Sequence, residues 1–265
     1  MSNENSRTAR IDSFARLLIE ARTSGEPLDS VPPSFVPESF EEAQLVDDRV
    51  AELSGWPVAG WKIGCTSEHA QKLLGAPGPF AGRVYSVHES GAVLSDDDLM
   101  VEPRLEGEIA FELIEPIAAG AAADRETVID AVGAIAPAIE FVGGRFTGFP
   151  GTPLLLVVAD AGSNSLLVLG DRVDDVDLED LGAANIQMMV GDEVTGEGRG
   201  SDVLGHPLNA LMWLVEHLGG RGIDLDAGQV ITTGTATQVS KLPVGSLATA
   251  TIESIGSVTV THGRS

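Results

Sequence analysis

Apolar positions at helical spacing open the chain. Ile11, Phe14, Leu17 and Leu18 recur through residues 8–23 and predict an amphipathic helix. Pro27, Pro32, Pro33 and Pro37 make the following stretch a linker. Ser39, with Glu42 three residues on, has the spacing of a capping box and predicts a second helix that closes at Gly55. Beyond it the period shortens. Strands are predicted at Val58–Gly64, 81–86, 105–114, 136–142, 154–159 and 166–169. A short helix from Glu68 to Leu74 stops at Gly75, and another falls near 125–133. Asn185–Val190 and the residues from Val194 read as a hairpin turning at Gly191-Asp192. Pro207 starts a helix with Leu208, Leu211, Met212, Val215 and Leu218 on one face, ended by Gly219. Strands rich in Val, Ile and Thr close the chain at 229–233, 247–253 and 257–262. These strands do not alternate regularly with helices, and no internal repeat is visible. The expected class is therefore α+β, a mixed, mainly antiparallel sheet with few packed helices. One structural domain is expected, with an N-terminal helical segment at 1–55 and a β-rich body at 56–265.

Within that pattern three acidic residues stand out. In the strand around Arg104–Phe111 the apolar Leu105, Ile109 and Phe111 face one way, while Arg104, Glu106 and Glu108 face the other. Carboxylates at i and i+2 project together, roughly 7 Å apart at their bases. Gly107 between them leaves room for close backbone approach. Glu140 interrupts the apolar run Ile135–Val142, where a buried carboxylate needs a partner. Three carboxylates without a soft ligand suit Mg2+ or Mn2+ rather than zinc. A second reading makes Glu106, Glu108 and Glu112 the solvated face of an edge strand, charged against aggregation. The pattern alone leaves both open, with Glu140 favouring the metal.

Composition narrows the rest. A chain of 265 residues can bury one sizeable core. Its net charge of −24 excludes nucleic-acid backbones and anionic membranes as expected partners. Cys65 is the only cysteine, so neither an internal disulfide nor a cysteine metal cage is expected, and a reducing cytoplasm is the natural setting. Asn3, Glu4, Asn5 and Arg7 do not suit a secretory signal. The longest apolar run, Leu154–Ala159, is too short for a membrane span and is expected to be a buried strand. Nucleotide-binding glycine fingerprints and a G-x-S-x-G elbow are absent. Gly196-Glu197-Gly198-Arg199-Gly200 carries no phosphate-binding lysine and is expected to be a loop. The histidines lack metal-ligand spacing, and His206 and His217, at the ends of one helix, are expected to be structural or exposed.

Several short motifs occur in order: Gly60-Trp61-Lys62-Ile63-Gly64-Cys65-Thr66-Ser67, Pro103-Arg104-Leu105-Glu106-Gly107-Glu108-Ile109-Ala110-Phe111, and Pro137-Ala138-Ile139-Glu140 with Arg145. Ala159-Asp160-Ala161-Gly162-Ser163, Leu204-Gly205-His206-Pro207-Leu208-Asn209-Ala210-Leu211 and Gly234-Thr235 complete the set. From about residue 55 to 260 the chain thereby resembles the fumarylacetoacetase-like superfamily, in its 2-keto-4-pentenoate hydratase and 4-oxalocrotonate decarboxylase branch. The resemblance implies a mixed β-roll of the fumarylacetoacetase C-terminal type and a homo-oligomer, alone or in complex with a partner pathway enzyme. It implies a divalent cation on Glu106, Glu108 and Glu140, with Lys62, Ser163 and Asp160 as catalytic residues. Arg104, Phe80, Gly234 and Thr235 are then expected against a small 2-oxo acid. Lys62 would shuttle a proton or orient the substrate carboxylate, its pKa lowered by a nearby cation.

Two departures bear on the reaction. Pro79-Phe80-Ala81-Gly82 stands where hydratases of the branch carry Pro-Asp-aromatic-Gly, and Phe80 cannot do acid–base work. Gly143-Gly144 replaces the usual Asp-Ser after the third glutamate's strand. The implied activity is hydration of a 2-hydroxy-2,4-dienoate or 2-oxo-4-enoate to a 4-hydroxy-2-oxo acid, in catabolism of aromatic or related compounds. Decarboxylation of a 2-oxo-enedioate is the alternative that Phe80 supports. Acylpyruvate C–C hydrolysis, and a non-catalytic oxo-acid-binding or partner subunit, stand behind it.

Overall fold

The computed structural model describes residues 2–99, 104–121 and 124–263, with side chains from residue 6, so Pro103 of the second motif lies outside the described residues. Two helices lead in, α1 (Ser2–Ser24) and α2 (Phe40–Ser54). Ser39 caps α2 by accepting the Glu42 N–H at 3.1 Å, and Gly55 closes it in the left-handed conformation at φ 64°. Glu42 does not complete the capping box. Its carboxylate turns instead to the Glu38 N–H at 2.8 Å and to Arg10 at 2.6 Å, tying α2 to α1.

The body contains β1 (Gly60–Gly64), α3 (Glu68–Leu74), β2 (Phe80–Val84), β3 (Val87–Glu89), β4 (Ala92–Leu94) and β5 (Arg104–Leu113). Then come α4 (Arg125–Ala131), β6 (Val132–Val142), α5 (Leu154–Ala159), β7 (Asn164–Leu169), β8 (Asn185–Val190) and β9 (Glu193–Arg199). The chain ends with α6 (Pro207–Gly219), β10 (Val230–Thr232), β11 (Ser240–Lys241), β12 (Leu247–Ile252) and β13 (Gly256–His262). The larger sheet runs β2-β1-β10-β5-β6-β7-β3 with β11 added to the start of β5; the smaller runs β4-β13-β12-β8-β9. Both are mixed, with parallel pairs only at β1–β10, β3–β7 and β4–β13 among the described strands, and neither closes into a barrel. The expected α+β class therefore holds. No described helix is long and apolar enough to cross a membrane.

Three apolar layers brace this frame. Leu105, Ile139, Phe141 and Val168 pack between the sheets against Met188, Ala248, Ala250 and Val258. Ile63, Phe111 and Ile135 pack with Leu211 and Leu214 of α6. Phe14, Leu18, Val46 and Val158 join α1, α2 and α5. The edge-strand reading fails here, because β5 is paired on both sides, with β10 and with β6. On its second face Glu108 is buried and Glu106 half-buried, while Glu112 stays open to solvent beside Arg172.

Two expectations are corrected. Leu154–Ala159 is the helix α5: Pro153 supplies a fixed φ at its start, and the Asp160 N–H closes it on the Leu156 and Val157 carbonyls. A six-residue apolar run does not by itself distinguish a buried strand from a buried helix. Gly196 and Gly198 lie in β9, not in a loop. A Cβ on Gly198 would fall 1.7 Å from the Ala236 carbonyl oxygen, so the glycines let the 236–238 segment cross the strand closely.

Pro137 is unusual in a strand paired on both sides. Its carbonyl accepts from Gly170 at 2.8 Å, so its nitrogen also points to the β7 side. Pairing with β7 starts only at Ala138, and the missing N–H costs no bond to β5.

Candidate active site

The register of β5 on β6 sets Glu106 directly opposite Glu140, with Glu108 opposite Ala138. One carboxylate oxygen from each glutamate lies within 4.8 Å of the other two. Glu108 and Glu140 are fully buried. Glu108 Oε2 accepts the Gly234 N–H at 2.8 Å, while Oε1 is buried with no hydrogen-bond partner among the described residues. Glu140 Oε1 accepts from Asn164 Nδ2 at 2.9 Å. Lys62, on β1, places Nζ 3.0 Å from Oε1 and 3.1 Å from Oε2 of the same carboxylate.

Electrostatics follow from one cation among three clustered acids. Burial pushes the Glu106 carboxyl up to about 7, opposed by Lys62 and reinforced by Glu140. Burial and the two neighbouring carboxylates hold Glu108 well above the usual range. Burial works against the Lys62 ammonium, but Glu140, Glu106 and Glu108 together raise its pKa above the ordinary lysine value. An unsatisfied oxygen and an excess of hard, anionic donors fit a hard divalent cation, and no softer donor joins the cluster among the described residues.

The lysine stem is walled by Phe80 and Gly162. The Phe80 ring is buried, with its centroid 6.0 Å from Nζ, and a Cβ on Gly162 would lie 2.9 Å from the Lys62 chain. Phe80 also fills the space beside Gly64 and meets Phe40 at 6.3 Å, so it acts as a packed wall. Gly162 belongs to a left-handed run, Ala161, Gly162 and Ser163, with φ of 50°, 66° and 60°. Such backbone is costly for non-glycine residues and concentrates at functional sites. The turn brings the buried Ser163 hydroxyl into the interior without a partner among the described residues. A side chain at Gly144 would press to 3.0 Å from that hydroxyl and 2.9 Å from Asp160, which accounts for glycine at position 144.

Other expected residues divide. Asp160 is buried, but its carboxylate is taken up by the Arg145 guanidinium and by the Arg145 N–H at 2.8 Å. It anchors the turn. Arg104 is half-buried, two residues before Glu106 on the same face of β5. Gly234 adopts φ 98° and gives Glu108 its backbone donor; a Cβ there would lie 2.2 Å from Thr66 Oγ1. The Thr235 hydroxyl is spent locally, donating to the Thr237 carbonyl at 3.0 Å.

Two residues escaped the sequence reading. Asn164 bonds Glu140, and it is the polar exception in the otherwise apolar β7 strand apart from Ser165, the one signal that marks it. Thr232 is in register with Lys62 and with Ala110, fully buried, its hydroxyl unpartnered among the described residues. A threonine in a β-branched strand gives no warning of that.

Two mixed sheets carrying a converging carboxylate trio on the central strand pair define the class. Residues 62–261 match the family Fumarylacetoacetate (FAA) hydrolase C-terminal, and the chain belongs to it. Within that family it is similar to the 2-hydroxyhexa-2,4-dienoate hydratase of Comamonas testosteroni, at 33% identity over 256 residues, covering 94% of this chain and 96% of the relative. The 2-keto-4-pentenoate hydratase of Paraburkholderia phymatum is 32% identical over 272 residues, covering 97% and 98%. Among solved structures it is similar to the 4-oxalocrotonate decarboxylase from Pseudomonas putida G7 complexed with magnesium and adipate. That match has a TM-score of 0.85 at 26% identity and covers 96% of this chain and 98% of that one.

Proposed function

We propose that this protein is a divalent-metal-dependent hydro-lyase that hydrates a 2-hydroxy-2,4-dienoate or 2-oxo-4-enoate to a 4-hydroxy-2-oxo acid, in catabolism of aromatic or related compounds. The observation that carries the reading is the converging trio of half-buried Glu106 and buried Glu108 and Glu140, with Lys62 bonded to one of them. End-to-end similarity to two hydratases supports it. The three carboxylates would hold Mg2+ or Mn2+, which supplies Lewis-acid stabilisation of negative charge on the oxygens of a 2-oxo acid. Lys62 carries the proton at the site. Its ammonium, held by Glu140 and aligned by the Phe80 wall, delivers it to the far carbon of the dienol, and the 2-hydroxyl proton returns to the amine as the 2-oxo group forms. Water then adds across the remaining double bond, hydroxyl to C4 and proton to C3. Arg104 is suited to pair with a substrate carboxylate, and the unpartnered Ser163 hydroxyl to bond a substrate oxygen. Gly234 and Thr235 would line the site through backbone, while Asp160 holds the turn through Arg145. A cytoplasmic homo-oligomer that engages a partner pathway enzyme belongs to the same proposal, on the family resemblance.

A specific observation favours a second reading, decarboxylation of a 2-oxo-enedioate. The wall beside Lys62 is the hydrocarbon ring of Phe80, which does no acid–base work, and the decarboxylase structure aligns over nearly the whole chain. One experiment separates them. The protein is incubated with Mg2+ or Mn2+ and a panel of 2-hydroxydienoates and oxo-enedioates, following dienol absorbance and CO2. Loss of dienol without CO2 is expected; CO2 release from the enedioate overturns hydration in favour of decarboxylation. Silence across the panel, with oxalate still bound, leaves an oxo-acid-binding protein.

A further inference from the structure

Asn164 begins β7, one residue past the left-handed turn, and is fully buried. Its side chain donates from Nδ2 to Glu140 Oε1 at 2.9 Å. Its backbone carbonyl is gripped by two guanidinium groups, Arg145 Nη1 at 2.6 Å and Arg22 Nη2 at 2.9 Å. Arg145 is fixed by Asp160. Arg22 arrives from the last turn of α1, a sequence distance of 142 residues, and its guanidinium lies 5.1 Å from the Tyr85 ring centroid and 5.8 Å from that of Trp56. A continuous set of contacts thus runs from the first helix to the Asn164 backbone, through its amide, to Glu140.

The geometry gives these contacts a task. Lys62 lies nearly equidistant from the two oxygens of Glu140, so the ammonium alone does not fix the carboxylate plane. The Asn164 amide pins Oε1 and thereby fixes the carboxylate plane. We propose that Asn164 is a positioning residue that orients Glu140 for a hard divalent cation, and that Arg22 holds the Asn164 backbone where it can do so. This rests on the reading of the trio as a cation site. It also makes the N-terminal helix part of that site, although Arg22 lies outside the 62–261 family match.

The test is Mn2+ affinity, read as free Mn2+ by electron paramagnetic resonance, beside thermal unfolding in EDTA. Outer partners of metal ligands contribute about 10- to 100-fold in affinity, and Asn164→Ala is expected to lose a factor in that range. In a Glu140→Ala background, with no carboxylate to orient, Asn164→Ala is expected to add no further loss. Arg22→Met should weaken Mn2+ binding by a smaller factor, and Arg22→Lys, which keeps a donor for the Asn164 carbonyl, should restore most of it. Wild-type affinity in Asn164→Ala, or the same factor lost in both backgrounds, overturns the proposal. If Asn164→Ala does not fold, Asn164→Ser and the Arg22 pair decide by the same criterion. A wild-type chain that ignores Mn2+ removes the cation site itself, whereas one that binds while its Asn164 variant binds equally removes only the positioning role.

Discussion

Replacing Glu108 by Gln separates a ligand from a structural glutamate by moving two measurements in opposite directions. Gln keeps an oxygen for the Gly234 N–H, now 2.8 Å from Oε2, and puts an amide where Oε1 has no partner among the described residues. It also deletes one of three acids whose oxygens lie within 4.8 Å. At an effective dielectric of about 20, two full charges at that separation repel by about 3.5 kcal/mol. The wild type escapes part of this by retaining protons, since Glu106 is raised to about 7 and Glu108 well above its usual range. A net gain of about 1–2 kcal/mol is therefore expected for the metal-free variant near neutral pH. For a chain of this size that is an increase of about 2–8 °C in Tm.

The sign with pH is set by the raised carboxyl. A folded pKa above the unfolded value gives stability that is complete below the unfolded pKa and is lost as pH climbs through the folded one. Gln does not titrate, so the advantage of the variant should grow from pH 6 to pH 9. Mn2+ affinity should fall by more than the roughly 100-fold upper range for an outer partner, and metal-dependent turnover should vanish. Circular dichroism melts in EDTA and in Mn2+ across that pH range read both effects. A variant that melts below wild type at pH 8 in EDTA, or that gains as much as wild type from Mn2+, refutes the electrostatic argument.

Two further outcomes are expected. Lys62→Met keeps a stem that fits between Phe80 and Gly162 but removes the proton carrier, so kcat should fall by about 100- to 10,000-fold while Mn2+ affinity is not weakened; a kcat within threefold of wild type removes Lys62 from the chemistry. His217, stacked on Trp213 at 4.7 Å and bonded to Gln44 at 2.8 Å, has its pKa lowered to about 4 by burial and by Arg221. Its contribution is intact above about 6.5 and is lost as pH falls toward 4, so urea unfolding should weaken over that window in wild type and less steeply in His217→Gln. Parallel slopes would assign the acid sensitivity to other groups.

How much of this was legible in the chain depends on the range of the interaction. The alternation of Leu105, Ile109 and Phe111 with Glu106 and Glu108 is local, and the structure reproduces it. The caps at Ser39, Gly55 and Gly75 are local too, and all are where the sequence put them. Leu154–Ala159 went the other way because uniform burial erases periodicity, leaving only Pro153 as a clue. Gly196 and Gly198 resembled a loop because their reason for being glycine is a segment forty residues on. Similarly, motif order placed Asp160 beside the chemistry, while its buried partner, Arg145, decides what its carboxylate does. Asn164 shows in the chain only as a polar residue in an apolar strand and Arg22 not at all, because their meaning lies in contacts that only the assembled fold creates.

Pro137 turns the acidic trio into a keyed arrangement. Sliding β6 by one residue along β5 would rotate the strand and carry Glu140 from the site into the apolar layer between the sheets. The same rotation would aim the proline nitrogen at β5, where a donor is required, and break a rung of the ladder. A single imino acid thus penalises the misaligned pairing from the backbone, three residues before the glutamate whose placement it protects.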